Sequence, residues 1–173
     1  KGRKLEGHQI DGTRPTQDRV KESMFSMIQE HLKDAIVLDL FAGSANLGIE
    51  ALSNGAKYCY FVDHSPQAIQ VIRKNLEFVD KNTYSVSCMD YQKALKQFAF
   101  DHKSFDLVFL DPPYQDKTLP EILTFLVEKQ LLKDHALVVC ELEHDTLDEE
   151  YTSLQLKKAK KYGYKQVKIY LRA

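Results

Sequence analysis

Five short apolar runs alternate with segments of helical periodicity along most of this chain, and that alternation limits the fold more than any other feature. The runs cover residues 35–41, 58–62, 84–89, 105–110 and 136–142. Most of them read as near-continuous apolar stretches, the pattern of strands covered on both faces. Helical patterns lie at 46–54, 66–79, 91–100 and 119–131. In 66–79, Ala68, Ile69, Ile72, Leu76 and Val79 share one face. A leading helix is expected over 14–33, opened by Arg14-Pro15-Thr16, with Val20, Met24, Met27, Ile28 and Leu32 on one side. Two closing strands, 153–160 and 165–171, meet at Tyr162-Gly163-Tyr164 and read as a hairpin. Strand–helix alternation needs a right-handed crossover at each step. The expected class is therefore α/β: a doubly wound, mostly parallel sheet with helices on both faces and an antiparallel last strand. No repeat or linker interrupts it, so residues 1–173 are expected to form a single domain: a polar arm at 1–13, the leading helix at 14–33, and an α/β core at 34–173.

With 43% hydrophobic and 28% charged residues, the composition is that of an ordinary globular domain. No apolar run approaches the ~20 residues that span a bilayer, and no signal-peptide pattern opens the chain, so no membrane partner is expected. The chain begins at Lys1 without a methionine and is read as lacking a few residues of a first strand. Cys59, Cys88 and Cys140 are odd in number, far apart and each in a strand-like run. They read as buried free thiols of a cytoplasmic protein. The histidines lack ligand spacing, so no metal is expected. A monomer is the default.

Net charge is −1, but its distribution is uneven. Residues 1–21 carry six Lys/Arg against three acids, and 151–173 carry seven Lys/Arg and no acid, while 22–150 has a net charge of −11. Two basic termini on one side of the molecule would make a phosphate-binding face. A solvated basic strand pair is the plainer alternative.

Ligands of such sheets bind outside the carboxyl ends of the strands. Four acids stand there: Asp39, Asp63, Asp90 and Asp111. One alone would be a helix-capping acid, but four together repel one another unless a ligand with several donors compensates. The first turn, Asp39-Leu-Phe-Ala42-Gly43-Ser44-Ala45-Asn-Leu-Gly48, is a strand-to-helix loop in which Gly43 permits a tight turn and Gly48 lets the helix pack close to the strand. It matches G-x-G-x-x-G poorly, since Ala45 holds the middle glycine's place, and it lacks the G-K-[ST] of a P-loop. Asp63, twenty residues past Gly43, has the spacing of an acid accepting from ribose hydroxyls. Asp39 beside the loop would repel a pyrophosphate and attract an α-ammonium. That favours S-adenosylmethionine over a dinucleotide, with Asp90 accepting from the adenine amine.

Asp111-Pro112-Pro113-Tyr114 ends the strand 105–110 abruptly. Two prolines have no N–H to donate and stiffen the backbone, so their carbonyls stay open as acceptors. A carboxylate, free carbonyls and an aromatic face suit a flat ring bearing an exocyclic amine. A proline-terminated strand with a surface tyrosine is the plain alternative.

These residues resemble the class I S-adenosylmethionine-dependent methyltransferases and, more narrowly, the RsmD family of bacterial 16S rRNA guanine-N2 methyltransferases. The resemblance is carried by Arg14-Pro-Thr-Gln-Asp-Arg-Val-Lys-Glu22, Asp39-Leu-Phe-Ala-Gly-Ser44 with Leu47-Gly-Ile-Glu-Ala-Leu-Ser53, Asp111-Pro-Pro-Tyr114, and the Tyr162-Gly163 hairpin. The Pro-Pro-Tyr motif is shared with DNA adenine-N6 and protein-glutamine methyltransferases; the Arg-Pro-Thr segment is more specific. The resemblance implies a seven-stranded sheet with its last strand antiparallel and a short N-terminal β extension, partly supplied by 1–13. It implies methyl transfer from S-adenosylmethionine to the N2 amine of one guanine in 16S rRNA, within the small subunit or an assembly intermediate. Cofactor contacts are implied at Asp39, Gly43, Gly48, Asp63 and Asp90. Ala42, Ser44, His64 and Tyr91 stand beside them, His64 being more readily read as a plain loop histidine. Ala45 is expected to set the loop slightly farther from the cofactor.

The expected catalytic residues are Asp111, Pro112 and Tyr114: Asp111 and the Pro112 carbonyl accept from the two N–H bonds of the amine while Tyr114 holds the ring. The released proton goes to Asp111 or to water. Contacts to RNA are expected from Arg3, Lys4, Arg14, Thr16, Arg19, Pro113, Lys158 and Lys161. The rivals are an N6-adenine DNA methyltransferase, for which the chain has little room for a target-recognition domain, and a non-catalytic nucleotide- or RNA-binding module of the same fold. Glu141, at the end of the fifth run, faces either the pocket or the acidic surface that follows.

Overall fold

The computed structural model describes residues 14–113, 118–143 and 147–173, with side chains from Gln17 onward. The arm at 1–13 with Arg3 and Lys4, the side chains of Arg14 and Thr16, and Tyr114 lie outside the described residues. In chain order the elements are α1 (Arg14–Ile28), β1 (Ile36–Asp39), α2 (Asn46–Ser53), β2 (Tyr58–Asp63), α3 (Pro66–Asn75), β3 (Tyr84–Cys88), α4 (Tyr91–Phe100), β4 (Phe105–Leu110), α5 (Thr118–Glu128), β5 (Leu132–Leu142), β6 (Glu150–Tyr151), β7 (Leu154–Tyr162) and β8 (Lys165–Arg172). The strands form one sheet in the order β3-β2-β1-β4-β5-β8-β7-β6. β1 to β5 pair in parallel, whereas β8 runs antiparallel to both β5 and β7, and β6 antiparallel to β7.

The expected doubly wound α/β class is the one observed, with eight strands rather than seven. The additional strand, β6, is two residues long and sits at the end of an acidic stretch with no apolar pattern to announce it. Helices α3 and α5 stop at Asn75 and Glu128, short of the expected ends. β5 begins at Leu132 rather than 136, because its first turn pairs with Phe105 through an irregular register.

The period of two along each strand sorts the core into two layers. On one face α1, α2 and α3 bury Met24, Ile28, Ala51 and Ile72 against Val37, Phe61, Phe109, Val139 and Ile169. On the other, α4 and α5 bury Leu95, Ile122 and Leu126 against Leu38, Val108, Val138 and Tyr170. Cys59 and Cys140 are buried in these layers, whereas Cys88, expected to be buried, is exposed at the end of edge strand β3. Among the described residues no helix is long and apolar enough to cross a membrane, and no cluster of His, Cys, Asp and Glu is placed to hold a metal ion.

The strand order reverses between β1 and β4. The loops leaving their ends turn to opposite faces, so a crevice opens there.

Candidate active site

Alternation fixes which side chains meet at this crevice. Val37 faces α1 to α3, and so does Asp39 two residues on. Phe109 does so on β4, which sends Asp111 the same way; Val139 on β5 carries Glu141 with it; Val167 and Ile169 on β8 carry Lys165. Asp39 pairs with Phe109, Phe109 with Val139 and Val139 with Ile169, so these polar groups stand along one edge of one face. They line a cavity of about 200 Å³ together with Phe41, Ala42, Gly43 and Ser44 from the loop after β1, and Tyr164 from the hairpin. Gln17, Val20 and Lys21 of α1 close it from above, and Asn46 and Leu47 of α2 from the side. Lys21 is tied to α2, its Nζ donating to Asn46 Oδ1 at 3.0 Å with Glu50 Oε1 at 3.7 Å.

Asp39 is 2% exposed and accepts from the Gly48 N–H at 3.0 Å. Burial pushes its carboxyl up to about 7; the Gly48 hydrogen bond opposes this, and the charges of Asp111 and Asp63 add to it. A buried acid in that state is suited to receive a cationic group.

The loop between Asp39 and α2 is braced from several sides. Gly43 has φ +59°, and no atom lies within 4 Å of where a Cβ would stand, so its surroundings are open to a ligand. Its N–H donates to Asp63 Oδ2 at 3.0 Å, while Asp63 Oδ1 accepts from Ser65 N–H at 3.0 Å. The spacing that suggested a ribose acid thus brings Asp63 against the loop, with lone pairs of both oxygens already engaged and others remaining. Asn75 on α3 donates to the Ser44 carbonyl at 2.9 Å. Gly48 packs as its sequence position suggested: a Cβ there would stand 2.2 Å from Phe61 Cε1 and 2.7 Å from Cys59 Sγ. Ala45 adopts the left-handed conformation a glycine would take, φ 70°, but its methyl is fully buried in the core and does not line the cavity.

Of the other sequence candidates, Pro112 is buried beside Asp111 and Pro113 is exposed. Asp63, His64, Asp90 and Tyr91 do not line the cavity. They occupy the ends of β2 and β3 farther along the same edge. His64 is 74% exposed, with Nδ1 3.9 Å from Asp63 Oδ1. Asp90 is exposed and caps α4 by accepting from Gln92 N–H at 2.9 Å. Tyr91 packs its ring 5.3 Å from that of Phe41, a cavity residue.

The basic C-terminal stretch divides in three. Lys168 is buried and donates to the Leu147 carbonyl, and Arg172 donates to Asp134. Lys165 points into the cavity. Lys157, Lys158, Lys160 and Lys161 are exposed along β7, of which β6 pairs only with Leu154 and Gln155. Arg19 is exposed on α1. Because β7 runs parallel to β5, its lysines approach the cavity edge toward Tyr162.

Sequence reasoning passed over Gln17, Lys21, Tyr164 and Lys165 as cavity residues and left Glu141 open. A signal was present for two of them: Glu141 continues the inward alternation of Leu137 and Val139, and Lys165 precedes that of Val167 and Ile169.

The chain is similar to proteins of several bacteria over nearly its whole length. A Bacillus subtilis protein, YlbH, is 40% identical over 172 residues, which cover 98% of this chain and 94% of that one. The Haemophilus influenzae ribosomal RNA small subunit methyltransferase D is 35% identical over 150 residues, covering 84% and 76%. A solved structure from Escherichia coli, of the protein YhhF, matches with a TM-score of 0.86 and 31% identity, covering 99% of this chain and 93% of that one. The family profile described as conserved hypothetical protein 95 matches residues 1–171, and this chain therefore belongs to that family, the RsmD family of methyltransferases.

Proposed function

We propose that this protein transfers the methyl group of S-adenosylmethionine to the exocyclic N2 amine of one guanine in 16S rRNA, within the small ribosomal subunit or an assembly intermediate. The observation that carries this reading is the cavity shared by Asp39 and Asp111, an acid suited to a cation beside an acid suited to an amine, in a chain whose relatives include a small-subunit rRNA methyltransferase. The donor set fits the cofactor. Asp39 would take the α-ammonium, the open loop at Ala42, Gly43 and Ser44 the methionine end, and Asp63 the ribose. Asp90, His64 and Tyr91 flank the adenine side. When bound, S-adenosylmethionine supplies an electrophilic methyl on a sulfonium.

The chain's own residues prepare the nucleophile. The lone pair of a guanine N2 is delocalised into the ring. Asp111 and the Pro112 carbonyl each accept one of its N–H bonds, which draws the nitrogen toward tetrahedral geometry and aims its lone pair at the methyl. Tyr114 stacks on the ring. The nitrogen gains the methyl and loses one proton, to Asp111 or to water. The base has to leave its stack to reach the cavity, and the exposed Arg19, Lys158 and Lys161 hold the surrounding phosphates together with Arg3, Lys4, Arg14 and Thr16.

Asp111→Ala is expected to lower labelled-methyl transfer to 30S subunits by at least about 100-fold while S-adenosylmethionine binding, followed by calorimetry, is retained. Near-normal transfer by that variant would remove Asp111 from the reaction. Transfer to DNA in place of rRNA would favour the adenine-N6 reading, and cofactor binding without any transfer the non-catalytic one.

A further inference from the structure

Glu141 and Lys165 have no part in the reaction as set out above, yet they share the cavity with Asp111. Lys165 Nζ lies 3.9 Å from Asp111 Oδ2 and 3.7 Å from Glu141 Oε2. Lys165 thus gathers the two carboxyl groups around one cation, and a hydrogen bond with Asp111 is among the causes that raise the Glu141 carboxyl. Such a bond needs one proton between them, since an ionised carboxylate can only accept. Glu141 is the deeper of the two, with its side chain 12% exposed against 39% for Asp111. Burial therefore puts the proton on Glu141 and raises its carboxyl well above the usual range; the charges of Asp111 and Asp39 add to this and Lys165 opposes it.

Among the described residues the titratable and charged groups facing Glu141 and Lys165 are Asp111 after β4, Asp39 on β1, Glu143 after β5 and Tyr164 in the β7–β8 turn, with Lys21 of α1 lining the same cavity. Lys165 is directed at two carboxyls and its side chain is only 20% exposed, which sets it apart from the solvent-facing lysines of β7.

We infer that Glu141 and Lys165 are a positioning pair for Asp111: Glu141 donates its proton in a hydrogen bond and Lys165 contributes an ion pair, so that Asp111 is fixed where it accepts from the substrate amine. This role rests on the reading of Asp111 given above. Since Glu141 already holds a proton, it is not the group that takes the one released on methylation. Once Glu141 ionises as pH rises, the donor disappears and a second negative charge stands beside Asp111, so turnover falls.

The test compares methyl transfer to 30S subunits as a function of pH for the wild type, Glu141→Ala, Glu141→Gln and Lys165→Met, with a carboxyl 13C NMR titration of the wild type and Glu141→Gln. Glu141→Ala and Lys165→Met are expected to lower kcat about 10- to 100-fold with little change in the KM for S-adenosylmethionine. Glu141→Gln keeps a donor that cannot ionise, so it is expected to rescue kcat and abolish the fall with rising pH. One glutamate carboxyl is expected to titrate far above the others in the wild type and to be missing in Glu141→Gln. If every glutamate titrates in the ordinary range, or if an active wild type and the three variants share one pH profile, this role is overturned and the proposed function stands. A wild type that moves no methyl to RNA at any pH overturns both.

Discussion

Asp39 sets its proposed role in cofactor binding against the stability of the fold. Its carboxyl is raised from an ordinary value of 3.8 to about 7, so the folded, ligand-free protein holds a proton that the unfolded chain has released. Stability is therefore lost as pH climbs between those two values and is level above them, by up to about 4 kcal/mol. Asp39→Asn keeps an acceptor for the Gly48 N–H but carries no charge. It is expected to raise the melting temperature at pH 8, leave it nearly unchanged at pH 4, and weaken S-adenosylmethionine binding at least about tenfold. Equal melting temperatures at pH 8 would contradict the strained state assigned to Asp39. The two loop glycines separate in the same way. Gly48→Ala drives a methyl into Phe61 and Cys59 and is expected to cost about 1–3 kcal/mol or more in denaturant unfolding. Gly43→Ala meets no atom and costs only the left-handed backbone, about 1–2 kcal/mol, but puts a methyl where the methionine end of the cofactor is proposed to bind. Cofactor affinity should thus fall in Gly43→Ala out of proportion to stability.

At the scale of elements, the β7–β8 hairpin contains three kinds of lysine that a count of charge cannot tell apart. Lys168 is buried as a hydrogen-bond donor, Lys165 belongs to the cavity, and Lys157 to Lys161 face solvent. Exposed lysines on a poorly covered strand also protect an edge from pairing with other chains, so their role is open to a direct measurement. Lys158→Glu with Lys161→Glu is expected to weaken binding to 16S rRNA and to flatten its salt dependence by about 0.7–0.9 for each phosphate that is no longer neutralised, without change in cofactor binding. Unaltered RNA affinity with increased aggregation would point to edge protection alone. The alternating strands and helices were legible because β1, β2 and β4 are nearly continuous apolar runs, and the Asp111-Pro112-Pro113 end of β4 stood out because two prolines cannot continue a strand. β6 was not legible: two residues carry no period. Cys88 was misread because a strand-like run does not reveal that it lies at the edge of the sheet. Lys165 and Glu141 were present in the alternation of their strands but became visible as a site only once β8 was seen beside β5.

For the molecule as a whole, the cavity is assembled from both ends of the chain. α1 and the hairpin are held together by Tyr162, whose hydroxyl donates to Ser23 Oγ across 139 residues of sequence. Between them the strand order reverses, so that acids from β1, β4 and β5 gather at one opening, and a cationic ligand there relieves their repulsion. Saturating S-adenosylmethionine at about 100 times its Kd is expected to stabilise the fold by about 2.7 kcal/mol, or roughly 5–10 °C in melting temperature; no shift would mean that the cavity does not take this cofactor. The fold and the acid-lined cavity both follow from residues of this chain. The identity of the amine is the central claim, and nucleoside mass spectrometry of 16S rRNA after incubation of unmethylated 30S subunits with the protein and S-adenosylmethionine tests it most directly. One N2-methylguanosine per rRNA, absent with Asp111→Ala, is the predicted result; N6-methyladenosine, or no methylated nucleoside from a protein that binds the cofactor, would contradict it.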